Sequence, residues 1–165
     1  MLNLLKDYVG RKQESGRFYD TLVSRARAPV FFADFGVADS IDGRFDVLAF
    51  HAWLVLTELK GSEAAQALTD TIFTGFDEAM REQGAGDIGI GHRLKAMANA
   101  FYGRLAAYDG AKNQEELAAA LARNLWRGAI VDQRARHLAA YAWIAREQLR
   151  RSLPQALDFG PLPSI

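Results

Sequence analysis

Between Val47 and Leu56 the chain reads VLAFHAWLVL, ten residues without a charge. A membrane-spanning helix needs about 20 apolar residues, so this run is too short to cross a bilayer and belongs inside a protein. Its neighbours set its form. From Gly43 to Leu59, the residues Phe45, Leu48, Trp53, Leu54, Val55 and Leu56 cover nearly every side of a helical wheel. A helix that is apolar all round is a central one, and other elements must cover it.

The rest of the sequence supplies them. Phe18, Leu22 and Ala26 form one stripe between Ser15 and Ala28, and Pro29 ends it. Ala65, Leu68, Ile72, Phe76, Ala79 and Met80 recur at three- and four-residue steps between Ser62 and Gln83. Leu94, Met97, Ala98, Phe101, Leu105 and Tyr108 do the same between Gly91 and Asp109. That period is the mark of an amphipathic helix. Asn113 and Glu116 have the spacing of a capping box, ahead of a Leu117, Leu121, Leu125 stripe that stops near Gly128. The last helix runs from Asp132 to Arg151, with Leu138, Tyr141, Ala142, Ala145 and Leu149 inward. No stretch shows sustained period-two alternation, and Pro29–Ala33 reads as a loop. The expected fold is all-α, a single compact bundle of six or seven helices around the central apolar one. Residues 1–14 form a short amphipathic segment and 15–151 the helical domain. Residues 152–165 form a tail with three prolines, either an extended strap or a frayed end.

Composition removes several functions. The 165 residues are half hydrophobic, enough for one core. The absence of Cys excludes disulfide scaffolds, Cys-ligated zinc, iron–sulfur clusters and thiol catalysis. Twenty basic and twenty acidic residues argue against a chain-wide nucleic-acid footprint. The zero is uneven, however. Residues 1–30 carry +3, residues 31–122 carry −7 and residues 123–165 carry +4. Either the helix faces differ in composition, or an acidic face lies between basic termini. At the N-terminus, Lys6 and Asp7 break the apolar start and no small-residue cleavage site follows, so the expectation is a cytoplasmic protein. Leu2, Leu5 and Val9 lie opposite Lys6, Arg11 and Lys12, a stripe that suits an anionic membrane surface or docking on the bundle.

No motif for catalysis or a cofactor stands out. Gly84–Gly89 matches G-x-G-x-x-G, but a helical stretch precedes it, so it reads as a helix C-cap and turn rather than a dinucleotide loop. Asp39, Asp42 and Asp46 lack the spacing of a calcium loop. Ser40 or Asp42 instead caps the central helix, and Arg44 pairs with one of the acids. His51 reads as a hydrogen-bonded core residue, with haem ligation as the alternative. Asp70, Thr74, Asp77 and Arg81 share one helix face, with Asp77 and Arg81 an i, i+4 pair; the face reads as a solvated or partner-facing surface, with acid–base work by Asp77, Asp87 and Arg81 as the alternative. No metal and no cofactor are expected.

Three segments taken in order resemble the ubiquinol–cytochrome c chaperone family. They are FGVADSIDGRFD (Phe35–Asp46) leading to His51, MREQGAGD (Met80–Asp87), and FYGR (Phe101–Arg104) with Tyr108. The resemblance covers residues 17–112. This chain has Ala38 where the family often has Pro, Ser40 where it has Thr, Ala85 for a frequent Val, and Gly75 where an acid is expected. The resemblance implies a non-enzymatic assembly factor for the cytochrome bc complex (complex III) that holds newly made cytochrome b. It also implies a small helical partner protein, the ribosome and peripheral contact with the cytoplasmic face of the inner membrane. The partner-binding residues it carries over are Asp39, Asp42, Gly43, Arg44, Asp46 and His51 in the first segment. Asp77, Arg81, Glu82, Gly86 and Asp87 come with the second, and Phe101, Tyr102, Gly103, Arg104 and Tyr108 with the third. Arg44, Arg81 and Arg104 are either client contacts or internal struts.

Overall fold

The computed structural model describes residues 2–84, 86–128 and 130–165, and their side chains except those of residues 2–6, 8, 87 and 88. Seven helices follow one another: α1 (Leu2–Ala26), α2 (Val30–Ala33), α3 (Ile41–Glu58), α4 (Glu63–Glu82), α5 (Asp87–Asp109), α6 (Gln114–Leu125) and α7 (Gln133–Ser152). No strand occurs among the described residues. The all-α bundle expected from the sequence is the fold observed.

Four of the long helices, α3, α4, α6 and α7, start where the sequence provides a side-chain acceptor for free N–H groups. Ser40 accepts from Gly43, Ser62 from Ala65, Asn113 from Glu116 and Asp132 from Ala135. Glu116 reaches back to the Lys112 N–H at 2.8 Å, so the box expected there forms one residue wider. The helix α3 is the hub, packed against α1, α5, α6 and α7, while α4 bridges α1 and α5. Ten of its residues are buried, including Val47, Phe50, Trp53, Leu54 and Val55. Each large apolar side chain so buried contributes about 1.5–3 kcal/mol, which places the core along this helix.

One feature departs from the sequence reading and two sharpen it. The stretch after Pro29 is a helical turn, α2, because Phe31 must reach the core, where it is fully buried. The helix α1 continues without a break at residue 14, so the N-terminal segment and the first helix are one rod. Of the stripe considered there, Val9 is half exposed, and Leu2, Leu5 and Lys6 have side chains outside the described residues. Finally, the tail is a strap. Leu157 and Phe159 are buried, and His137 Nδ1 lies 3.0 Å from the Ser164 carbonyl. Arg25 of α1 donates to the Gly160 carbonyl at 2.5 Å and stacks over Phe159.

The uneven charge distribution also acquires an explanation. Acids of the middle segment pair with bases of the ends: Glu63 with Arg11, Glu58 with Arg146 and Arg150, Asp46 with Arg127, and Glu115 with Arg136. The imbalance is thus partly offset by ion pairs between the segments.

Candidate functional site

The first motif builds the entrance to α3. Phe35 is fully buried, and its carbonyl accepts from Trp126 Nε1 at 2.9 Å and Arg134 Nη1 at 3.3 Å. The chain then turns sharply. Ser40, not Asp42, provides the cap, while Asp42 lies exposed in the first turn. Gly43 permits this turn, because a Cβ there would stand 1.9 Å from the Ala38 carbonyl oxygen. The result sets Arg44 Nε 2.7 Å from Asp39 Oδ1 at the surface. The Arg44 hydrogen bond holds the Asp39 carboxyl below its ordinary value.

One turn further, Asp46 points inward and has a side chain only 1% exposed. Arg104 Nε of α5 lies 2.5 Å from its Oδ1 and also stacks over Phe45. Arg127 Nη2 lies 2.7 Å from Oδ2, an ion pair without an aligned hydrogen bond. Burial raises the Asp46 pKa, and the two guanidiniums oppose that rise. Arg127 adopts φ 56°, the left-handed region that a residue with a Cβ occupies at a cost of about 1–2 kcal/mol. Its ion pair to Asp46 is an interaction that offsets this cost. Tyr108 lies beside this cluster with its hydroxyl buried and unpartnered, so its pKa is raised by burial first and by the Asp46 charge second. Arg104 is therefore an internal strut between α3 and α5.

His51 is a core residue. It has no exposed surface, and the rings of Phe31, Phe50 and Phe159 lie 4.8 to 5.5 Å from its own. Its Nδ1 faces the Val47 carbonyl at 2.8 Å, which requires Nδ1–H as donor. Nε2 then accepts from the Tyr141 hydroxyl at 3.1 Å. Burial lowers the His51 pKa to about 3, so the ring is neutral at physiological pH. With both nitrogens engaged, His51 has no lone pair free for haem iron, and this geometry argues against the haem reading.

The second and third motifs meet on the α4–α5 face. Asp77 and Arg81 form their i, i+4 pair at 2.9 Å, open to solvent. Glu82 is exposed and Gly86 precedes α5 as its N-cap; the side chain of Asp87 lies outside the described residues. Phe101 is fully buried against Phe73 and Phe76. Its neighbour Tyr102 is 52% exposed and lies 5.8 Å from the Phe73 ring. Gly103 is exposed in mid-helix, and a Cβ there would meet nothing within 4 Å. Gly75 is different: a Cβ would stand 2.0 Å from the Tyr19 hydroxyl, so the acid expected there would collide with α1.

The sixteen motif residues thus do not converge on one point. Gly43, Asp46, His51, Phe101, Arg104 and Tyr108 hold the fold together. Asp39, Asp42 and Arg44 face solvent at one end, and Asp77, Arg81, Glu82, Tyr102 and Gly103 form a second surface. Sequence reasoning missed Trp126 and Arg127 of the α6–α7 loop and Arg134 in the first turn of α7, which brace the first motif. The only local signal was a non-glycine residue just before Gly128. Among described residues no cluster of His, Asp and Glu could hold a metal ion. Among the described residues no helix is long and apolar enough to cross a membrane.

Comparison with known proteins gives a consistent result. The family model described as ubiquinol-cytochrome C chaperone matches residues 33–157. The crystal structure of the Cbp3 homolog from Brucella abortus is 34% identical and superposes with a TM-score of 0.79, covering 94% of this chain and 91% of that one. No curated protein matches the chain.

Proposed function

Because the chain belongs to the ubiquinol–cytochrome c chaperone family, we propose that it binds newly made cytochrome b and assists its assembly into the ubiquinol–cytochrome c reductase complex. The family match carries this reading, since it spans α3 to α7 whole. We take the protein to act by binding, without catalysis. Asp77 and Arg81, the carboxylate and guanidinium considered for acid–base work, form an ion pair at the surface.

The α4–α5 face is the proposed client surface. Glycine inside a helix costs roughly 0.5–1 kcal/mol relative to alanine. A Cβ at Gly103 would meet nothing within 4 Å, and the bare backbone there permits close approach of another chain. Tyr102 beside it offers a rigid aromatic contact of the kind enriched at interfaces. A small helical partner and the ribosome are further partners in this reading, and it places the protein at the cytoplasmic face of the inner membrane as a peripheral component.

Deletion of the gene, with spectroscopic assay of b-type cytochrome and of the assembled complex, tests the function. Loss of both, restored by the wild-type chain, is expected. Normal levels of cytochrome b and of the complex would refute it.

A further inference from the structure

We propose that the cleft between the end of α1, α2 and the turn into α3 binds an acidic, apolar-flanked peptide segment of a partner protein, anchored by Arg27 and Arg44. This rests on the assembly reading above and names the chemistry of one contact within it. The cleft measures about 610 Å³, within the roughly 300–1,000 Å³ of sites that enclose small ligands. Arg27, Arg44 and Asp39 line it together with Pro29, Phe32 and Ala33.

The charges in it are unbalanced. Arg27 is exposed, and its side chain makes no ion pair or hydrogen bond to any described residue. Arg44 uses Nε for Asp39, and its two terminal nitrogens have no described acceptor. Asp39, the one acid lining the cleft, is thereby neutralised, so a positive charge is left over. A planar guanidinium fork with both terminal nitrogens free suits a carboxylate or phosphate oxygen pair.

The wall decides between simple anions and a peptide. Pro29, Phe32 and Ala33 offer apolar surface that a bare anion leaves wet. A purely apolar ligand leaves two guanidiniums unmatched. A carboxylate side chain next to an apolar one satisfies both. The anchor is also set in advance. Close passage of the chain over Gly43, the Ser40 cap and the Asp39–Arg44 pair together hold Arg44 before any ligand arrives. Affinity gained by preorganisation does not have to offset ordering on binding.

The test is an NMR titration of the full chain, read at the arginine Nε–Hε signals. The probes are the acetylated tetrapeptide amide DFEL, its uncharged counterpart NFQL, and inorganic phosphate. Saturable shifts at Arg27 and Arg44 with DFEL are expected, with binding about tenfold weaker for NFQL. Arg27→Gln and Arg44→Gln should each weaken DFEL binding by a similar factor while the thermal melt of Arg27→Gln stays unchanged. No saturable response to DFEL overturns the proposal, and so does phosphate binding as tightly as DFEL. Cytochrome b co-purification separates this from the assembly reading. If wild-type protein retains cytochrome b and the double variant retains it equally, the cleft proposal fails and the assembly reading stands. If wild-type protein retains none, the assembly reading fails and the titration still judges the cleft.

Discussion

Gly103 offers a way to separate stability from client binding in a single substitution. It lies in the interior of α5, sixteen residues after the first, Asp87. It is exposed, its φ is not in the left-handed region, and a Cβ would have open space around it. Alanine can therefore realise its full helix preference there, about 0.8–1.0 kcal/mol. For a chain of this length that corresponds to a rise in Tm of roughly 2–4 °C. Gly43→Ala is the natural counterpart. Its Cβ would stand 1.9 Å from Ala38 O and 2.9 Å from Ala38 C, both backbone atoms. The turn must shift, and a loss of about 1–3 kcal/mol is expected. Thermal melts and urea titrations of the two variants side by side measure both effects. Cytochrome b co-purification, run in parallel, should fall for Gly103→Ala although that protein is the more stable. An unchanged or lowered Tm for Gly103→Ala would refute the reasoning about its cost. Undiminished co-purification would remove Gly103 from the client surface.

Other perturbations address the core and the surface. Phe101→Ala should cost about 3–5 kcal/mol in urea unfolding, because its ring is wholly buried among other rings. Phe45→Ala should cost less, since Phe45 is only partly buried. His51 has a lowered pKa in the folded state, so its contribution is present above pH 6.5 and is lost as pH falls below that value. Relative to His51→Gln, wild-type protein should lose about 2 kcal/mol between pH 8 and pH 5, and parallel pH profiles of the two would contradict the buried neutral ring. Asp77→Lys should leave the melt nearly unchanged and reduce co-purified cytochrome b; full retention would place the client elsewhere.

The fold was legible because its main signal is local. The all-round apolar run that became α3, the stripes of α4 to α7 and the Ser40 and Asn113 caps all act within a few residues. What escaped were contacts between distant segments. Arg127 reaches Asp46, and Trp126 reaches Phe35 91 positions away; no spacing rule links such pairs. Phe31 turned an expected loop into α2 for the same reason, since the need to fill the core overrode a weak local preference. The family motifs marked residues that matter without separating struts from contacts. Asp46 and Arg44 stand two positions apart on α3, yet one is buried and the other faces water. Helical phase explains that difference, and it becomes visible only when the neighbours are in place.

The strap has a consequence in time. Arg25 finds its acceptor, the Gly160 carbonyl, 135 residues downstream. At a synthesis rate of roughly 5–20 residues per second, that partner arrives about 7–27 s after Arg25 is made. Until then Phe159 is missing from its place between His51 of α3 and Arg25 of α1. The nascent chain thus passes through a waiting period in which most of its helices exist and its core is still unsealed.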